Sequence, residues 1–72
     1  MVNVVMLQEA LKAQSLSYEE VANAIGVDRA TFYRRMQRAG TKFTVEEVSK
    51  LSALLHLSGQ EMQDIFFDRE LA

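Results

Sequence analysis

The sequence predicts an all-α fold of five short helices, and three observations carry that prediction. Three segments, Ser17-Tyr18-Glu19-Glu20, Thr44-Val45-Glu46-Glu47 and Ser58-Gly59-Gln60-Glu61, have the spacing of a capping box. In that motif a hydroxyl side chain satisfies a free amide of the first helical turn, and a glutamate three residues on reaches back to the amide of the cap. Asn3 and Asp28 are N-cap candidates without the returning glutamate. At all five proposed starts an apolar residue precedes the cap and another lies five positions later, the spacing of a hydrophobic staple: Val2/Leu7, Leu16/Val21, Val27/Phe32, Phe43/Val48 and Leu57/Met62. Finally, the chain contains no proline to break a helix.

The helices are expected near residues 4–14, 18–25, 29–38, 45–55 and 59–67, within a single domain covering 1–72. The first presents Val4, Leu7, Ala10 and Leu11 on one side. Its opening, Val2 to Met6, is β-branched and apolar and also suits a short strand or arm, though the start of a helix is the preferred reading. The second presents Val21, Ala22 and Ile25, and Gly26 just beyond it can take the left-handed conformation that ends a helix and turns the chain. The third presents Phe32, Met36 and Ala39. Only Gly26-Val27-Asp28 separate it from the second, so the two helices cannot fold back antiparallel and must cross steeply, as in a helix-turn-helix. Residues 39–43 read as a polar, basic surface loop anchored by Phe43. The fourth helix presents Val48, Leu51, Leu54 and Leu55, and the fifth Met62, Ile65 and Phe66. Spacings of three and four residues mark these as core stripes.

A chain of 72 residues buries only about 60% of its unfolded surface, so its stability has to come from well-capped, compact elements. A hydrophobic content of 49% is ample for that. The lack of cysteine excludes disulfides and thiolate metal sites. No apolar run approaches the ~20 residues that span a bilayer, and Met1 to Leu7 lacks the basic start and long apolar core of a signal peptide. A soluble, cytoplasmic protein without a membrane partner is expected.

The net charge of −2 argues against indiscriminate binding of polyanions, but the distribution is uneven. Five of the eight basic residues, Arg29, Arg34, Arg35, Arg38 and Lys42, fall in one stretch whose only acid is Asp28. A solvated helix face usually mixes signs. At about 100° per residue, Ala30, Tyr33, Arg34 and Gln37 cluster opposite the apolar stripe of the third helix, with Arg29 at its N-terminal end and Arg38 on a flank. Arg35 sits beside the core stripe, where it packs its stem or pairs with an acid. Such a face suits duplex DNA. An arginine fork donates twice to guanine, glutamine pairs with adenine, and a small alanine methyl fits beside thymine. Arg38, Thr41, Lys42 and Thr44 are placed to meet phosphates. The plainer reading is that Tyr33 half-packs, Gln37 is solvated and the arginines pair with Glu19, Glu20, Glu46 or Glu47.

From Tyr18 to Gln37 the chain resembles the helix-turn-helix of the phage repressor group, the lambda-repressor and Cro-like regulators. Ala22 matches the small residue where the two helices touch, Gly26 the turn glycine, and Val21, Ile25, Val27 and Phe32 the buried positions. The five-helix plan extends the likeness over nearly the whole chain. The resemblance implies a motif over 18–37, a recognition helix over 29–38 lying in the major groove, base reading by Arg29, Ala30, Tyr33 and Arg34, and a phosphate contact from Tyr18. Gln37 joins the readers on the spacing argument. The pattern departs at Arg35, which holds its last buried position, with Met36 taking the apolar role.

The implied function is that of a small bacterial or prophage transcriptional regulator binding a double-stranded operator. A helix-turn-helix-fold protein-interaction module is the alternative, and it calls for a larger exposed apolar patch. Phe67 and Leu71 fall off the Met62/Phe66 stripe. They either fold back against the first helix or form a two-fold dimer interface near the C-terminus. An enzyme is not expected. His56 is the only histidine and has no cysteine or second histidine to join it at a metal. Glu19/Glu20 and Glu46/Glu47 are explained by capping, and no phosphate loop or nucleophile motif occurs. No cofactor is implied.

Overall fold

Five local signals in the chain become five helices in the structure, a computed structural model that describes residues 2–38 and 42–67. They are α1 (Val4–Ala13), α2 (Tyr18–Ile25), α3 (Arg29–Met36), α4 (Val45–Leu55) and α5 (Gly59–Phe66), and no strand occurs among the described residues. Each starts where capping chemistry places it. Ser17, Thr44 and Ser58 close full capping boxes with Glu20, Glu47 and Glu61. Asn3 Oδ1 accepts from the Met6 amide at 3.1 Å, and Asp28 Oδ1 from the Thr31 amide at 2.8 Å. Val2 to Met6 therefore leads into a helix. Val2 is buried, and the Asn3 amide donates to the Ile65 carbonyl at 2.6 Å, tying the N-terminus to α5.

The apolar stripes meet in one core. Leu7 and Leu11 of α1, Val21, Ala22 and Ile25 of α2, Phe32 and Met36 of α3, Leu51 and Leu55 of α4, and Ile65 and Phe66 of α5 are all buried. Val4, Ala10, Val48, Leu54 and Met62 pack around them partly covered, while Ala39 lies outside the described residues. A side chain of this kind contributes about 1.5–3 kcal/mol when fully buried. Helix α2 packs on both α3 and α4, and α1 packs on α5. Phe32 is the hub: its ring meets Tyr18 edge-on at 5.3 Å between centroids and Phe43 at 6.2 Å, and Phe43 meets Phe66 at 6.3 Å.

The helix ends fall short of three expectations. Helix α1 stops at Ala13, not 14, α3 at Met36, not 38, and α5 at Phe66, not 67. At α3 the Gln37 and Arg38 amides turn to the carbonyls three residues back, Arg34 and Arg35, which tightens the last turn. Gly26 ends α2 at φ +83°, as the turn requires. Ser15 (φ +56°) and His56 (φ +54°) take the same left-handed conformation after α1 and α4 without being glycine. The Leu16 and Leu57 amides then close back on the Leu11 and Ser52 carbonyls at 3.0 Å.

Candidate nucleic-acid interface

The three-residue turn after α2 fixes where α3 begins, and the Phe32/Met36 pair fixes which way it faces. With those two side chains buried, Arg29, Ala30, Tyr33, Arg34, Gln37 and Arg38 all lie exposed, and Thr31 and Arg35 lie at the borders. The exposed residues span roughly half of the helix circumference. Lys42 and Thr44, on the approach to α4, are also exposed. Thr41 lies outside the described residues. Among the described residues, Arg29, Arg34, Arg38 and Lys42 enter no ion pair with an acid. The pairing with Glu19, Glu20 or Glu46 that a plain solvated face would use does not form. Lys50 takes Glu46 at 3.1 Å instead.

Two acids border this basic face, and both are committed to structure. Asp28 caps α3. The Thr31 hydroxyl first, then the Thr31 amide, and more weakly the Arg34 charge hold its carboxyl below the usual range, against a small opposing effect of burial. Arg34 itself leans on the Thr31 hydroxyl at 3.2 Å. Glu47 is buried on the inner side of α4. Its Oε1 accepts from the Thr44 amide at 2.8 Å and from Arg35 Nη1 at 2.9 Å. Burial pushes the Glu47 carboxyl up. The Thr44 amide, the Arg35 hydrogen bond and charge, and the Thr44 hydroxyl together outweigh it and hold the group below its ordinary value. Arg35, the departure from the apolar pattern, thus faces inward, with its guanidinium carbon 5.4 Å from the centre of the Phe43 ring.

Tyr18 is more embedded than a free surface contact. It is half-buried against Phe32, its ring lies 6.1 Å from that of the exposed Tyr33, and its hydroxyl accepts from Gln8 Nε2 at 3.1 Å. That leaves the phenolic hydrogen to donate outward. Thr44 likewise spends its hydroxyl oxygen on the Glu47 amide at 3.1 Å.

Phe67 does not fold back against α1. It is 59% exposed and lines an open groove of about 430 Å³ between α4 and α5, with Phe43, Val45, Val48 and Met62. Leu71 lies outside the described residues. Sequence reasoning missed the most exposed apolar member, Val45, at 89% exposure. The signal was available. Val45 opens the first turn of α4, helical side chains lean toward the N-terminus, and a side chain there leans off the end of its helix. Among the described residues no cluster of histidine and acidic side chains suits a metal ion, and no helix is long and apolar enough to cross a membrane. No protein-family model, curated protein or solved structure matches the chain.

Proposed function

We propose that this chain is a sequence-specific double-stranded-DNA-binding domain of the phage-repressor-like helix-turn-helix kind, acting as a small bacterial or prophage transcriptional regulator in the cytosol. The observation that carries the reading is the sorting of the arginines. The inward one, Arg35, is neutralised by Glu47, while Arg29, Arg34 and Arg38 stand outward with no acid paired to them among the described residues. In this reading α3 lies in the major groove, with Arg29, Ala30, Tyr33, Arg34 and Gln37 toward base edges. Tyr18, Arg38, Thr41, Lys42 and Thr44 meet phosphates on either side, helped by backbone amides at the starts of α2 and α4. No catalysis and no cofactor are part of it. With about four to six phosphate contacts per subunit, a monomer binds weakly and with clear salt dependence. A homodimer through the C-terminal region, with Phe67 and Leu71 at its interface, sets two such helices on half-sites about 34 Å apart.

In vitro selection from random duplex DNA at two salt concentrations tests the reading. Enrichment of a short, palindromic site whose affinity falls with salt is expected. A pool that stays random, with no salt-dependent binding, contradicts it. One observation bears on the second reading, a protein-interaction module of the same fold: Val45 and Phe67 stand exposed beside an open apolar groove. That reading predicts a random pool together with a protein partner lost on Val45→Asp.

A further inference from the structure

Helix α3 has only eight residues, and its buried contribution is Phe32 and Met36. These two side chains are four positions apart and form a single row along the axis. One row of apolar contacts is non-directional and leaves the roll of a helix about that row weakly determined. Among the described residues Arg35 is the one α3 side chain that makes a hydrogen bond or ion pair to another helix, about 100° round from Met36. Tyr33, also off the row, meets α2 only through the non-directional approach of its ring to that of Tyr18 at 6.1 Å. Its hydrogen bond to Glu47 Oε1 is charge-assisted and directional. The acceptor is itself fixed, because the Thr44 amide holds the same oxygen and the Glu47 side chain is only 11% exposed. The guanidinium also rests on Phe43, whose ring is wedged between Phe32 and Phe66.

We infer that the Arg35–Glu47 ion pair is a positioning device: within the facing that Phe32 and Met36 impose, it sets the fine roll of α3 against α4 and so where the outward α3 side chains are held as readers. The roll rests on geometry alone, whereas the consequence for reading rests on the DNA-binding proposal above. The leverage is large. With side-chain ends about 5–6 Å from the axis, a roll of about 20° carries Tyr33 or Arg34 about 2 Å sideways. That is more than the range over which a hydrogen bond holds.

The test compares wild type with Arg35→Met, which keeps a flexible apolar stem without a donor, and Arg35→Lys, which keeps charge without the planar fork. Residual dipolar couplings of the α3 amides against those of α1, α2 and α4 are measured without DNA, and binding is measured on the selected duplex and on a scrambled one. Arg35→Met is expected to turn α3 by about 10° or more and to lose about tenfold in discrimination, with the salt slope unchanged. Arg35→Lys should do both to a lesser degree, and it carries the comparison by itself if Arg35→Met does not fold. An α3 orientation common to all three proteins overturns the inference whatever DNA shows. A salt slope lowered by about one in Arg35→Met also overturns it, because Arg35 then contacts phosphate. Rotation with intact discrimination overturns the link to reading. If wild-type protein selects no duplex, the DNA proposal falls instead, and the dipolar couplings still decide the role of the pair.

Discussion

Arg34 and Arg35 are neighbours with opposite fates. Helical geometry turns one outward against Thr31 and the other inward onto Glu47, so their substitutions should read differently. Arg34→Ala is expected to cost about 1–3 kcal/mol on the selected duplex and to relax one base preference, as measured by affinity across single-base variants. Equal weakening on every variant would remove Arg34 from direct readout. Lys42→Ala should lower affinity uniformly and reduce the salt slope by about one, and an unchanged slope would take Lys42 out of the phosphate set. Glu47 is expected to contribute to acid stability, as is the cap Asp28. The folded-state value of Glu47 lies below the ordinary 4.5, so its contribution is complete above that value and is lost as pH falls through the lowered one. Glu47→Gln, which still accepts from the Thr44 amide, should therefore flatten the loss of stability below about pH 5 in acid titrations followed by circular dichroism. An unchanged acid limb would show that another carboxylate controls it. The exposed face of α3 was legible from spacing, because a helix with Phe32 and Met36 inside has only one outside. The partner of Arg35 was not. Four acids were open to the arginines, and the choice of Glu47 depends on how α4 packs, which no local pattern encodes.

At the scale of the element, helix starts and helix ends obey different chemistry. Ser17, Thr44 and Ser58 announce their helices because a capping box uses side chains three residues apart, which is visible in the chain itself. Ends are made by backbone conformation. Gly26 was legible because glycine is the residue for a left-handed turn, whereas Ser15 and His56 adopt the same turn with nothing in their side chains to show it. An L-residue in that conformation carries a steric cost of about 1 kcal/mol, partly offset because glycine loses more entropy on folding. His56→Gly should accordingly stabilise the fold by up to about 1 kcal/mol, seen as a rise of a few degrees in Tm. Gly26→Ala should do the reverse by about the same amount. An alanine Cβ at Gly26 meets nothing closer than the Lys50 ammonium at 3.9 Å, so the loss is one of backbone conformation and not of space. A drop in Tm for His56→Gly would mean that the histidine side chain stabilises the end of α4 beyond its backbone.

At the scale of the whole molecule, a basic face and an apolar groove stand out. Arg29, Arg34, Arg38 and Lys42 stand exposed on α3 and the segment between α3 and α4, and the exposed apolar side chains Val45 and Phe67 border the α4/α5 groove. The five-helix architecture and its core stripes were readable from the chain, since each stripe is periodic. The groove was not, because it is formed by side chains from α4, α5 and the segment before α4 that share no periodic relation. If the C-terminal region forms the proposed dimer, Phe67→Asp should leave the helical circular dichroism intact and shift sedimentation from dimer to monomer. A wild-type protein that remains monomeric at high concentration would count against that interface. The central claim is that the outward face of α3 reads duplex DNA, and an NMR titration of the labelled protein with the selected duplex tests it most directly. The amide and side-chain signals of Arg29, Ala30, Tyr33, Arg34 and Gln37 are expected to shift most, flanked by those at the starts of α2 and α4. Shifts gathered instead around Val45 and Phe67, or none at all, would contradict it.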